Sequence, residues 1–172
     1  TDIGPVVSEA QLKKNLEYLQ IGLNDGAKQL TGGEQVEQAT PGWYLSPVLF
    51  IDAKSEMKIC REEIFGPIAA VMSVNDYDEA LNLANDSEFG LSAGIVTNDR
   101  SIIDHFIANI HSGMVQINLP TAGMDFHAPI TGRKNSSFGP PEKSSYCREF
   151  FTNTKVVHAN YGKRLNSKKE ES

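Results

Sequence analysis

The residues best suited to chemistry in this sequence lie in one short segment, Glu62-Glu63-Ile64-Phe65-Gly66-Pro67. The carboxylate of Glu63 stands two residues before the ring of Phe65, and the Gly-Pro pair predicts a loop before the next strand. A carboxylate can accept hydrogen bonds from both hydroxyls of a ribose while a ring packs against the sugar. The segment therefore suits a nucleotide sugar, and the alternative is an acidic surface turn with one buried Phe.

Composition restricts the partners of such a site. The 172 residues include 16 Lys and Arg against 22 Asp and Glu, a net charge of −6, which does not favour nucleic acid or an anionic membrane. No run approaches the ~18 apolar residues of a membrane-spanning helix, and the first residues have no signal-peptide character, so we expect a cytoplasmic protein. Two cysteines are too few for a disulfide scaffold and lack metal-ligand spacing, so no metal site is predicted.

Alternating helices and strands must position the segment. Ser8 and Gln11 form a capping-box pattern, and leucines at helical spacing predict a helix over about 8–25. Apolar runs predict strands, and Asp76 and Asp99 can begin the helices between them. The remaining predicted elements are, in order, a strand over 47–51, a strand over 68–74, a helix over 76–84, a strand over 92–97, a helix over 99–112 and a strand over 114–118.

This alternation predicts an α/β fold with a parallel layered sheet and helices on both faces, because parallel neighbours require crossover connections. Beyond residue 118 the chain becomes rich in Pro, Gly and Ser until a strand pattern returns over 150–157. Residues 161–172 are polar and predict a disordered tail. The last strand therefore lies apart from the alternating unit.

The segment Glu62 to Pro67 resembles a hallmark of the aldehyde dehydrogenase superfamily, and this resemblance extends from the first residues to about Asn160. It implies the C-terminal part of an NAD- or NADP-dependent aldehyde dehydrogenase. Further matches occur in order at Gly4-Pro5, Gln11, Lys14, Gly32-Gly33, Gly42-Trp43-Tyr44 and Gly90-Leu91-Ser92-Ala93-Gly94.

The same resemblance implies roles for four side chains at the cofactor. Glu63 is expected to contact the nicotinamide ribose, with the ring of Phe65 packed nearby. Gln11 and Lys14 are expected near the ribose and phosphate groups. The alternatives for these last two are a cap partner and a solvated lysine.

The segment from Asn118 to His127 resembles a subgroup of these dehydrogenases that oxidises α-ketoglutarate semialdehyde, also called 2,5-dioxopentanoate. In that subgroup the loop helps to form the substrate entrance. The resemblance implies that Thr121, Phe126 and His127 offer hydroxyl, aromatic and imidazole groups to an acidic aldehyde. The alternative is a packed loop in which His127 only satisfies a backbone partner.

The chain departs from the family pattern just beyond this loop. Pro129-Ile130-Thr131-Gly132 replaces the usual Pro-Phe-Gly-Gly, and Ser144 stands where Gly is usual. Pro141-Glu142 replaces an Arg-Glu pair, and a proline in place of arginine removes a cation and a backbone donor together. The implied anchoring of the loop near the substrate tunnel is weaker for that reason.

The strand from Phe150 to His158 resembles the family's oligomerisation strand, which implies a homo-oligomer; the alternative is an ordinary edge strand. The family's catalytic Cys, general-base Glu and Rossmann-type cofactor domain are expected upstream, as Thr1 in place of Met also suggests. Neither Cys60 nor Cys147 matches the nucleophile position, so no catalytic residue is expected here, and the chain should be inactive alone.

The expected organisation has three parts. They are an incomplete catalytic domain over 1–149, the oligomerisation strand over 150–160 and the polar tail over 161–172. The functional alternative is a non-catalytic assembly or binding module built on the same fold.

Overall fold

The structure, a computed structural model, describes residues 3–123 and 125–162. Within them the helices are α1 (Glu9–Asn24), α2 (Lys58–Arg61), α3 (Tyr77–Asn85), α4 (Arg100–Asn109) and α5 (Cys147–Phe150), with a 3-10 turn at Ser144–Tyr146. The strands are β1 (Lys28–Thr31), β2 (Gln35–Val36), β3 (Tyr44–Leu45), β4 (Val48–Ile51), β5 (Ile68–Ala70), β6 (Phe89–Gly90), β7 (Ser92–Ile95), β8 (Met114–Ile117) and β9 (Arg133–Lys134). No described helix is long and apolar enough to cross a membrane.

The three longer helices begin at side-chain caps. The oxygens of Ser8, Asp76 and Asp99 accept hydrogen bonds from backbone N–H groups in the first turns of α1, α3 and α4. Such an oxygen satisfies a backbone donor that has no partner inside the helix. The three predicted helices are therefore confirmed, each beginning where its cap residue indicated.

Two groups of strands contain the parallel pairs expected of an α/β fold. Strand β4 pairs in parallel with β5 and antiparallel with β1, and β7 pairs in parallel with β8. The α/β class is thus confirmed, although β5 and β7 are not neighbours in one continuous sheet among the described residues. Strand β5 is shorter than the predicted 68–74; just beyond its end, the N–H of Val71 still donates to the carbonyl oxygen of Phe50 at 2.9 Å.

The main core lies between α1 and the sheet of β1, β4 and β5. Phe50 on β4 is fully buried, and its ring lies against Gly22 of α1, where an added Cβ would come within 2.9 Å of it. A smaller cluster of Leu81, Phe106 and Ile110 packs under β7 and β8. The main cluster comprises Tyr18, Leu19, Ala27, Val48, Phe50, Ala53, Met57, Ile59 and Ile64. Because Ile64 belongs to it, this core holds the middle of the segment singled out in the sequence.

The segment predicted as a strand over 150–157 has no strand partner among the described residues. Phe150 ends α5, and residues 151–162 have no strand pairing among the described residues. A strand needs a neighbour to receive its backbone hydrogen bonds, and none of the described strands pairs with this segment. Pairing with another subunit stays a prediction. Of the predicted tail, residues 163–172 lie outside the described residues.

Ser144 adopts a left-handed backbone conformation, with φ 63°, at the start of the 3-10 turn. An L-residue there costs roughly 1 kcal/mol relative to glycine, because Cβ approaches a carbonyl oxygen. The departure from the usual Gly at this position therefore places a serine where the backbone favours glycine.

Candidate functional site

The loop of residues 62–67 connects α2 to β5 and lies against α1. The side-chain Nε2 of Gln11 donates to the carbonyl oxygens of Ile64 at 2.8 Å and Phe65 at 3.0 Å, and to Oδ1 of Asn15 at 2.8 Å. Nε2 carries two hydrogens for three acceptors, so one hydrogen is shared. The side chain of Gln11 therefore connects the backbone of the 62–67 loop to α1. Its own backbone N–H also donates to the side-chain oxygen of the Ser8 cap.

Lys14 and Tyr18 extend these contacts along α1. Nζ of Lys14 lies 3.4 Å from the carbonyl oxygen of Glu63, and the hydroxyl of Tyr18 donates to the carboxylate of Glu62. The ammonium groups of Lys14 and Lys58 also lie 5.5 and 5.7 Å from the centre of the Tyr18 ring, within cation–π range. Lys14 is thus not simply solvated, because it contacts the loop backbone.

The Tyr18 contact gives a pH-dependent prediction. The hydrogen bond to Glu62 holds the pKa of Tyr18 above its ordinary 10.0, and burial and the Glu62 charge act in the same direction. A raised pKa means that the folded state favours the neutral phenol, so this stabilisation is present below pH 10 and is lost as pH rises through the folded pKa. We expect the melting temperature of the chain to fall more steeply above about pH 10 than that of Tyr18→Phe.

The control for this experiment is Tyr161→Phe, because Tyr161 is exposed. Its melting temperature should follow that of the unsubstituted chain at every pH. Parallel pH profiles for Tyr18→Phe and the unsubstituted chain would contradict the assigned hydrogen bond.

The 62–67 loop exposes two side chains, one on each side of a buried residue. Ile64 is buried in the main core, whereas Glu63 is exposed and the Phe65 side chain is 71% exposed. Phe65 has φ 57°, a left-handed conformation that costs about 1–3 kcal/mol for a residue other than glycine. The alternative of a surface turn with a buried Phe is therefore wrong, because the ring is presented to solvent.

Glu63 and Thr121 line the same cavity, of about 460 Å³. The cavity lies between the 62–67 loop, the strands β6 and β7, and the loop after β8. Its size falls in the range of about 300–1,000 Å³ that is usual for small-molecule sites. The other lining residues are small or polar for the most part: Ala84, Ser87, Phe89, Gly90, Leu91, Ser92, Ala93, Gly94, Ser112 and Ser136. The structure thus brings together one predicted cofactor residue and one predicted substrate residue.

Phe126 and His127 form a separate pair on the loop after β8. Their ring centres lie 3.7 Å apart, and neither is among the described residues that line the cavity of Glu63. The backbone N–H of His127 donates to Oδ1 of Asp125 at 2.9 Å, and Nδ1 lies 3.0 Å from the same oxygen. These two hydrogen bonds hold the pKa of Asp125 below its usual value, and the one from the backbone has the larger effect. The loop is exposed rather than packed, and the partner of His127 is a side chain.

Cys60 lacks the features of an activated nucleophile. Cys60 is partly buried, and this burial raises its pKa more than the neighbouring Arg61 lowers it. The guanidinium of Arg61 instead binds the carboxylate and carbonyl oxygens of Asp86, each at 2.6 Å. Cys147 is exposed at the start of α5. No group of three or more potential metal ligands occurs in the described part of the chain.

Sequence reasoning missed Asn15 and Asp125. Asn15 is fully buried, accepts the hydrogen bond from Gln11 and lies against Gly66 of the loop. Asparagine is usually exposed, so the sequence gives no reason to expect that Asn15 is buried. Asp125 stands two residues before His127, a spacing at which aspartate often accepts local hydrogen bonds. Only the second could have been found from the sequence.

Comparisons with known proteins identify relatives along most of the chain. The family model described as "Aldehyde dehydrogenase family" matches residues 1–157. An "Alpha-ketoglutaric semialdehyde dehydrogenase" of Bacillus subtilis is 42% identical over 157 residues, 90% of this chain and 32% of the relative. A "2,5-dioxopentanoate dehydrogenase" of Saccharolobus solfataricus is 39% identical over 91% of this chain and 33% of the relative. The chain thus spans about a third of the length of these relatives.

Solved structures give the same result for the fold. An NAD-dependent aldehyde dehydrogenase from Sinorhizobium meliloti matches with a TM-score of 0.84 and 36% identity, covering 94% of this chain and 32% of that one. An aldehyde dehydrogenase from Bacillus cereus, solved as an NAD+ complex, matches with a TM-score of 0.85 and 32% identity over the same shares. At these identities the likeness concerns both sequence and three-dimensional structure.

Proposed function

The chain belongs to the aldehyde dehydrogenase family, and on that premise we propose that it is the C-terminal third of an NAD- or NADP-dependent enzyme that oxidises a semialdehyde to the carboxylic acid. The proposed substrate is α-ketoglutarate semialdehyde, the compound in the names of the Bacillus and Saccharolobus relatives. The observation that carries the proposal is the 62–67 loop, which exposes the ring of Phe65 and places Glu63 at a cavity that Thr121 also lines.

The residues of this loop fit a nicotinamide ribose. The exposed carboxylate of Glu63 can accept hydrogen bonds from two neighbouring hydroxyls, and the exposed ring of Phe65 can cover an apolar face of the sugar. Gln11 and Lys14 lie behind this pair and contact the loop backbone. NAD and NADP share this ribose, so Glu63 can serve either cofactor. The cofactor, when bound, would accept the hydride of the aldehyde.

The substrate would enter from the side of the loop after β8. Thr121 lines the cavity that Glu63 also lines, so its hydroxyl could contact a substrate held beside the cofactor. Phe126 and His127 would act at the entrance, where Nδ1 of His127 lies 3.0 Å from Oδ1 of Asp125. A ring N–H of His127 could donate a hydrogen bond to the carboxylate of an acidic aldehyde, such as the semialdehyde of a dicarboxylic acid.

The nucleophile and the general base are proposed to lie in the part of the relatives that this chain does not cover. The burial of Cys60 supports this, since a thiol with a raised pKa is a poor nucleophile at neutral pH. On this proposal, residues 1–149 form part of a catalytic domain, and the 172 residues alone are inactive. The two free thiols, Cys60 and Cys147, fit the reducing conditions of the cytoplasm, which is the proposed location.

Residues 150–158 are proposed to pair with another copy of the protein. Phe151, Val156 and Val157 are each more than 70% exposed in the single chain, and the backbone between them has no strand partner among the described residues. Apolar side chains beside unpaired backbone groups favour the addition of a strand from elsewhere. The polar residues from 161 onward would then form a tail beyond the contact.

The test of the proposed function is to extend the reading frame upstream and assay the complete protein. Formation of reduced cofactor should require both the α-ketoglutarate semialdehyde and NAD or NADP, and should exceed the rate with betaine aldehyde as a control substrate. The 172-residue chain should give no rate. A complete protein that turns over no short semialdehyde would contradict the proposal and favour the alternative, a non-catalytic assembly or binding module.

A further inference from the structure

We propose that Asn15 is a positioning residue for the 62–67 loop, which it holds through the side chain of Gln11. Oδ1 of Asn15 accepts a hydrogen bond of 2.8 Å from Nε2 of Gln11, one helical turn earlier on the same face of α1. Asn15 itself is fully buried, so neighbouring atoms fix its side chain. The inference rests on the proposed function only where it takes the loop to bind a cofactor.

The orientation of Gln11 decides how the loop is held. Nε2 faces Asn15 on one side and the carbonyl oxygens of Ile64 and Phe65 on the other. These two carbonyls flank the backbone of Phe65, the residue with the left-handed conformation. Without an acceptor at Asn15, the amide of Gln11 could rotate and release one or both carbonyls. The exposed Phe65 ring would then lose the conformation that presents it.

Asn15 also contacts the loop directly at Gly66. A Cβ added to Gly66 would lie 2.2 Å from Nδ2 of Asn15, so the glycine backbone sits against the buried amide. The loop is thus supported at 64 and 65 through Gln11 and at 66 through Asn15. A displacement of the Asn15 side chain would be transmitted to three successive loop residues.

A polar residue at this buried position has a cost that an apolar one would avoid. Nδ2 of Asn15 has no hydrogen-bond partner among the described residues, and a buried donor without a partner destabilises a fold. A leucine would fill the same face of α1 without such a donor. A residue that orients a neighbouring amide at the expense of stability is typical of a functional site.

The same geometry assigns Gln11 an indirect role at the cofactor. Both hydrogens of its amide nitrogen are used by Asn15 and the loop carbonyls, which leaves no hydrogen on that nitrogen for a ligand. Gln11 therefore acts by holding the loop, and Glu63 and Phe65 make the ligand contacts.

The first test measures NAD binding and thermal stability of the complete enzyme with Asn15→Leu. We expect the dissociation constant for NAD to rise about tenfold, the loss typical of one disordered contact, while the melting temperature stays the same or rises. A purely structural role would instead lower the affinity and the melting temperature together. In a Gln11→Ala background, Asn15→Leu should weaken NAD binding less than it does in the unsubstituted enzyme, because the support of residues 64 and 65 through Gln11 is already lost. Additive losses, or a loss of stability that accompanies the loss of affinity, would overturn the proposal. If the leucine variant fails to fold, Asn15→Ala replaces it, and the result is then decided by NAD affinity alone: losses that are additive with Gln11→Ala would overturn the proposal.

The second test follows backbone order in the 172-residue chain by NMR relaxation and needs no cofactor. Asn15→Leu and Gln11→Ala should each lower the order parameters of residues 63–66 from about 0.85 towards about 0.6, with α3 unchanged as the internal control. Unchanged order in 63–66 would overturn the positioning role whether or not the enzyme binds NAD. If the loss of order is obtained but the unsubstituted complete enzyme binds no NAD, the proposed function fails and the positioning of the loop stands.

Discussion

Replacing Phe50 with alanine should lower the free energy of unfolding of the chain by about 4 kcal/mol. Phe50 is fully buried at the centre of the main core, and its strand pairs with β1 on one side and β5 on the other. Because Gly22 and Ile59 meet at its ring, the space left by truncation cannot be filled by a small movement of one neighbour. Urea denaturation monitored by circular dichroism would measure the loss.

Phe138→Ala is the matched control for this prediction. Phe138 is 99% exposed, so the same chemical truncation removes no packing. Its free energy of unfolding should stay within about 0.5 kcal/mol of that of the unsubstituted chain. Equal losses for the two variants would show that Phe50 is not at the centre of the core.

Replacing Gly66 with alanine should lower the free energy of unfolding by about 3 kcal/mol and disturb the 62–67 loop. The added Cβ would lie 2.2 Å from Nδ2 and 2.5 Å from Cγ of Asn15, far inside van der Waals contact. A side chain at the surface could swing away, but Asn15 is fully buried. Either the loop or α1 must therefore move. Thermal denaturation measures the loss of stability, and in the complete enzyme we also expect weaker NAD binding.

Two further variants separate this clash from a general intolerance of alanine. Gly4→Ala introduces the same group where no atom lies within 4 Å, and should leave the melting temperature unchanged. Asn15→Ala removes the obstructing amide, so the double variant Gly66→Ala with Asn15→Ala should be more stable than the sum of the two single losses predicts. Strictly additive losses would contradict the close contact between the two residues.

Those elements with strong local signals could be predicted from the sequence. Ser8, Asp76 and Asp99 are short polar residues ahead of helical apolar spacing, and each begins a helix in the structure. The apolar runs at β4 and β8 likewise form strands, because burial on both sides selects such runs. The local sequence determines these helices and strands, so they can be predicted without knowledge of distant contacts.

Elements that depend on distant partners were not predictable in this way. Strand β9 contains Arg133 and Lys134, which are both exposed, and it exists because it pairs with β6 more than forty residues earlier. The polar strand β1 is similarly defined by its pairing with β4. In each case the hydrogen-bond partner, rather than the apolar pattern of the strand itself, produces the element.

The candidate site likewise combines residues that the sequence indicated with contacts that depend on distant parts of the chain. The sequence singled out Glu63 and Phe65, but the exposure of the Phe65 ring follows from its left-handed backbone, which no residue type at that position indicates. Gln11 holds the loop through hydrogen bonds to the carbonyl oxygens of Ile64 and Phe65, which lie more than fifty residues away in the sequence. Long-range packing therefore determines how the predicted residues are used.

The most direct test of the account is the affinity of the complete protein for NAD when Glu63 is changed to Gln, measured by titration calorimetry. Glu63→Gln keeps the size of the side chain and removes the charge that strengthens hydrogen bonds from ribose hydroxyls, so the dissociation constant should rise about tenfold. Glu37→Gln, at an exposed position outside the loop, serves as the control and should bind NAD as the unsubstituted protein does. An unchanged affinity in Glu63→Gln would contradict the claim that the 62–67 loop binds the cofactor.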